Sequence, residues 1–172
     1  MEGNLCPICR SPETVVRTDR DPVIGNGRSL TDFLPKGNYE VWYFPSPSST
    51  KPDWFFNASF AEHIGPTGEK RGLNGARFPT VKEVLRDYVL LGRVNGDGPI
   101  VSEPSVENVF YKMQAIQWAS NGAREFIRGS GAGHTSMSIG DVIRTPNGAW
   151  LAVADEGFIP LVDGDMPPPA KR

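Results

Sequence analysis

A chain of 172 residues, 38% of them hydrophobic and including nine Phe, four Trp and four Tyr, can bury one core of ordinary size without a disulfide or a metal. Its net charge of −2 offers no general field to steer it to DNA or an anionic membrane. No apolar run reaches the roughly 18 residues of a membrane span, and the start MEGNLCPICR lacks a secretory core, so a soluble cytoplasmic protein is expected.

Residues 1–38 carry charges, Pro22 and glycines with little apolar periodicity, and read as an irregular arm with a short helical turn at Ser29–Phe33. YEVWYF (39–44) is dense in β-formers and bounded by Gly37 and PSPSST, which predicts a strand. WFFNASFA (54–61) is a second strand candidate, with Trp54, Phe56, Ala58 and Phe60 on one face. Residues 63–79 hold four glycines and two prolines and read as a loop. Thr80 opens a helix, because its hydroxyl and Glu83 three positions on can satisfy each other's free backbone N–H groups. YVLLGRV (88–94) passes from that helix into a buried strand, broken by Asn95-Gly96-Asp97-Gly98.

Ser105 caps the next helix, in which Val106, Val109, Phe110, Met113, Ile116 and Gln117 trace one face until Asn121-Gly122 stops it. Residues 124–133 read as a glycine-rich connection. A terminal β unit follows: MSIGDVIRT, a Pro-Asn-Gly turn, AWLAVAD and GFIPLV. DGDMPPPAKR (163–172) reads as a disordered tail. The expected fold is α+β: a mostly antiparallel sheet, shaped as a partly open small barrel, with two principal helices, in one domain spanning 39–162.

Cys6 and Cys9 have the Cys-x-x-Cys spacing of half a zinc site, but a closed site needs four ligands and the chain's only histidines are His63 and His134. Two free thiols on the arm, or a pair shared between subunits, and no cofactor, is the expectation, with zinc at Cys6 and Cys9 the alternative. RGSGAGHTS (128–136) invites a phosphate-loop reading. That loop needs a glycine where Arg128 stands and a lysine where His134 stands, and it must open a helix rather than precede a strand. Asp141, Asp155 and Glu156 offer carboxylates, and Ser136 or Ser138 a hydroxyl, for a small hydrolase-type site in the 129–141 loop. Such chemistry requires a pocket that gathers His134 with Asp141 or Asp155. The simpler reading has Asp141 and the serines bonding turn amides.

Residues 69–93 carry Lys70, Arg71, Arg77, Lys82, Arg86 and Arg93 against Glu69, Glu83 and Asp87, an excess of three positive charges (six against three). With Arg124, Arg128 and Arg144 they could form a nucleic-acid surface; a solvated helix face and a polar loop is the alternative.

The order of the last third, SVENVFYKM, then GHTSMSIGDVI, then a hairpin ending in EGFIPL, resembles the YodL-like domain of proteins encoded on phages, plasmids and integrative elements. The matching residues are Gly133, Ser136, Ser138, Asp141 and Val142, then Gly157 and Phe158; the chain departs from the pattern at Ala154-Asp155-Glu156. The resemblance implies a non-enzymatic accessory protein of a mobile element, acting in a bacterial host cell by binding a host or viral protein, in some relatives to counter host defence. No catalytic residue carries over with it, and these positions are expected to be structural.

Overall fold

The computed structural model describes residues 21–25, 27–43, 78–118, 123–154 and 156–162. The second strand candidate at 54–61, the 163–172 tail, Cys6, Cys9, His63, Lys70, Arg71, Arg77 and Asp155 lie outside the described residues.

The architecture is α+β, built on an open antiparallel sheet of five strands. The strands are β1 (Tyr39–Tyr43), β2 (Val89–Val94), β3 (Val142–Arg144), β4 (Trp150–Val153) and β5 (Phe158–Pro160), in the order β2-β1-β3-β4-β5. β1 sits between β2 and β3 and is buried at every position, which accounts for its unbroken run of large residues. Alternation sends Tyr39, Val41 and Tyr43 into the main core with Leu91, Val94, Ile143 and Val153. Trp42 goes to the opposite face with Val142 and Ala152.

The register of β1 on β2 slips between Val41 and Trp42, where Gly92 takes a φ of +144°. A Cβ on Gly92 would sit 2.8 Å from Leu30 Cβ, so only glycine lets the 21–35 segment close over this edge. Asp21 completes the closure by accepting the Arg93 N–H at 3.0 Å. Ser29 precedes the expected helical turn, a 3-10 turn at Leu30–Asp32, and Leu30 and Leu34 enter the main core.

Helix α1 (Val81–Asp87) begins with the capping box expected at Thr80: Glu83 N donates to Thr80 Oγ1 at 3.3 Å and Thr80 N to Glu83 Oε2 at 2.7 Å. Its Val84, with Tyr88 beyond it, packs on the Trp42 face. Helix α2 (Val106–Lys112) starts at Ser105 as expected, with Asn108 N donating to Ser105 Oγ.

The apolar face expected to run through Ile116 does not persist. The Met113 carbonyl accepts from Met137 N, Trp118 Nε1 and Tyr43 Oη at 3.0, 3.1 and 3.3 Å, while Gln117 N turns to Gln114 O. Tertiary donors thus replace the next helical hydrogen bond. The chain restarts as α3 (Ala115–Trp118), and Ile116 is left 88% exposed.

The connection expected over 124–133 is also corrected. Residues Ala123–Ser130 form helix α4, which buries Ala123, Phe126 and Ile127 at helical spacing. Phe126 meets Phe33 and Trp118 at centroid distances of 5.3 and 6.1 Å, so an aromatic cluster, rather than any strong local signal beside Gly129, holds this helix. Among the described residues no helix is long and apolar enough to cross a membrane.

Candidate functional site

The segment from Gly133 to Asp141 folds back over the end of β1 and gathers the most chemically versatile side chains described. Gly140 N donates to Val153 O and Val153 N to Asp141 O, both at 2.8 Å, which locks the entry to β3 onto β4. Tyr88 Oη donates to Gly140 O at 2.9 Å from the opposite side. Asp141 is completely buried. Its Oδ2 lies 2.7 Å from His134 Nε2 and accepts Ser138 N–H at 2.7 Å.

The His134 ring stacks flat on Tyr43, with centroids 4.8 Å apart and planes within 4°. The Tyr43 hydroxyl lies 3.3 and 3.0 Å from the Met113 and Thr135 carbonyls, so one phenolic proton ties α2 to this loop. Burial, reinforced by the Asp141 charge, raises the Tyr43 pKa well above its ordinary value and keeps it a donor. For His134, burial works against the charged ring, but the hydrogen bond and the charge of Asp141 outweigh it, and the pKa is raised.

A histidine beside a buried carboxylate has the composition of a general base. The surroundings favour a different use. Asp141 Oδ2 fastens the loop through His134 and the Ser138 amide, one ring face of His134 is covered by Tyr43, and Ser138 Oγ donates to the Ser136 carbonyl at 3.1 Å. The expected bonding of Asp141 to a turn amide is therefore present, through Ser138 N. Gly157, in the β4–β5 turn, takes a φ of +74°, and Phe158 packs edge-on to Phe110 with centroids 6.2 Å apart.

Among the described residues the cations do not converge. Arg86, on α1, makes two 2.7 Å bonds to Asp87, on the helix that covers the Trp42 face. Arg124 and Arg128 lie exposed on α4, which covers the main core on the other side of the sheet. Arg93 and Arg144 flank Glu40 in register across β2, β1 and β3, at 3.2 and 3.3 Å, and the Arg144 guanidinium stands 5.2 Å from the centroid of the Trp150 ring. Arg144 Nε is buried without a partner among the described residues. Among those residues no group of three or more His, Cys, Asp or Glu is placed to hold a metal ion.

Sequence reasoning missed Tyr43, Glu40 and Asn108. Tyr43 and Glu40 read only as strand residues, and their partners are far away along the chain. Asn108 is fully buried on α2, and a lone asparagine beside Val109 carries no local sign of that. No family model, curated protein or solved structure matches this chain.

Proposed function

We propose that the chain is a non-enzymatic accessory protein of a phage or other mobile element, acting in the bacterial cytoplasm by binding a host or viral protein. The observation that carries the non-enzymatic part is the inward use of the His134–Asp141 pair. Among the described residues, the buried carboxylate beside a histidine fastens a loop by accepting from that histidine and from a backbone amide. A protein rather than a nucleic-acid partner is favoured because Arg86, Arg93 and Arg144 each have a carboxylate partner, and the exposed cations of α1 and α4 lie over opposite sheet faces. The mobile-element setting rests on the YodL-like wording around Gly133, Ser136, Ser138 and Asp141.

The test compares the native chain with a folded His134→Asn variant. Both are assayed for hydrolysis of ester and phosphodiester model substrates and for capture of protein from a bacterial lysate at physiological salt. The proposal expects no turnover by either protein and the same captured protein with both. Turnover that disappears in His134→Asn would replace it with the hydrolase reading. Salt-sensitive retention on DNA or RNA, abolished by charge reversal at Arg71, Arg77 and Arg86, would replace it with the nucleic-acid reading.

A further inference from the structure

The loop from Gly96 to Ser105 joins β2 to α2. Its base is closed by Ser105 N donating to Gly96 O and by Tyr39 Oη donating to Pro104 O, both at 3.0 Å. A Cβ on Gly96 would meet the Tyr39 ring at 2.3 Å, so the closure depends on glycine there. Beneath the loop lies the fully buried Asn108. Its Oδ1 accepts Ile100 N and Val101 N at 3.0 and 3.1 Å, and its Nδ2 donates to Val101 O and Glu103 O at 2.9 and 3.1 Å. One side chain thus satisfies four backbone groups and turns the polar backbone inward.

The side chains go the other way. Residues 97–104 are all exposed, and at their centre Ile100 and Val101 are 54% and 40% exposed. Ile100 and Val101 are adjacent and both exposed, a pair of aliphatic side chains on one loop, whereas Val23 and Ile116 stand singly. Here the backbone is held from below and two neighbouring aliphatic side chains are held out, between Pro99 and Pro104. Holding a contact loop in one conformation before association removes much of the ordering entropy that binding would otherwise cost. Compact loops with closed ends commonly carry function.

Charge identifies the partner class. Residues 95–107 contain Asp97, Glu103 and Glu107 and neither lysine nor arginine. All three carboxylates are exposed. Their field reaches Tyr39, whose pKa is raised first by burial and then by Glu107 and Asp97. An acidic rim around an aliphatic centre opposes a phosphate backbone and complements an apolar socket edged by Lys or Arg.

We infer that the 96–105 loop is the recognition element of this chain, inserting Ile100 and Val101 into an apolar cleft of a protein partner whose rim is basic. The inference rests on the protein-binding reading above and names its surface.

The experiment places the photo-crosslinking residue p-benzoylphenylalanine at Ser102 of the full chain, and in separate preparations at Val23 and at Ile116, and irradiates each in a bacterial lysate. The expected result is one protein adduct at Ser102. Once purified, that protein binds the native chain, at least 10-fold more weakly after Ile100→Asp or Val101→Asp, a few-fold more weakly after Glu103→Lys, and within twofold of native after Ile116→Asp. Ile100→Ser replaces Ile100→Asp if the latter lowers the melting temperature. A partner that crosslinks at Val23 or Ile116 and ignores Ile100→Asp overturns the loop assignment and leaves the protein-binding reading standing. So does an adduct at Ser102 to a second copy of this chain. Nucleic-acid adducts, or none at all three positions, overturn both.

Discussion

Two loops of this protein use the same device for opposite ends. In 133–141 a buried polar side chain, Asp141, draws the loop inward through the Ser138 amide and takes the His134 ring with it, onto Asp141 and Tyr43. In 96–105 a buried polar side chain, Asn108, draws in only backbone, and the aliphatic side chains are left facing solvent. The difference teaches that a buried polar hub does not by itself mark a reactive site. What matters is whether the hub consumes side chains or only main chain.

The comparison can be broken at either hub. The largest effect is expected for Asp141→Ala, which removes a buried carboxylate from His134 and from the Ser138 amide and strands both. A loss of about 3 kcal/mol or more is expected from leaving such partners unsatisfied, read as a lowered midpoint in urea unfolding. Asn108→Ala should cost about 2 kcal/mol for the same reason without the charge. Its distinguishing mark is local: faster hydrogen exchange at the Ile100 and Val101 amides, with the 133–141 amides unchanged. Equal acceleration in both loops would mean that they form one cooperative unit, and the contrast between them would fail.

A smaller effect separates the hubs by pH. The folded-state pKa of His134 is raised above the ordinary value near 6.5, so its contribution to stability is complete below about pH 6.5 and is lost as pH rises through the folded-state value. Stability should therefore decline from pH 6.5 upward, and His134→Asn should flatten that decline. A native chain that instead becomes more stable over this range would show that the ring is buried neutral. The smallest effect on folding is expected for Ile100→Ser, within about 0.5 kcal/mol, because the side chain is largely exposed. A loss of several times that amount would mean that Ile100 serves the fold rather than a partner.

Legibility followed distance along the chain. The Thr80 capping box, the Ser105 cap, the short turn after Ser29 and the strand at 39–43 were all readable, since each depends on residues three or four apart or on a dense run of β-formers. Helix α4 was not, because its apolar positions are only three and its support is Phe33 and Trp118 from elsewhere. The break at Met113 was not, because the donors that claim its carbonyl include Tyr43, 70 residues away. The bonding of Asp141 to a turn amide was anticipated from Gly140-Asp141, whereas the stacking of His134 on Tyr43 had no local trace.

The chain by itself determined the α+β class and the helix starts at Thr80 and Ser105, because capping chemistry acts over a few residues and hydrophobic alternation over a few more. Tertiary structure alone decided which polar residues became hubs and which apolar ones stayed outside. Whether Asp141 or Asn108 is buried, and whether Ile116 or Ile100 is exposed, depends on partners supplied by other elements of the folded chain, and only packing brings those partners into reach.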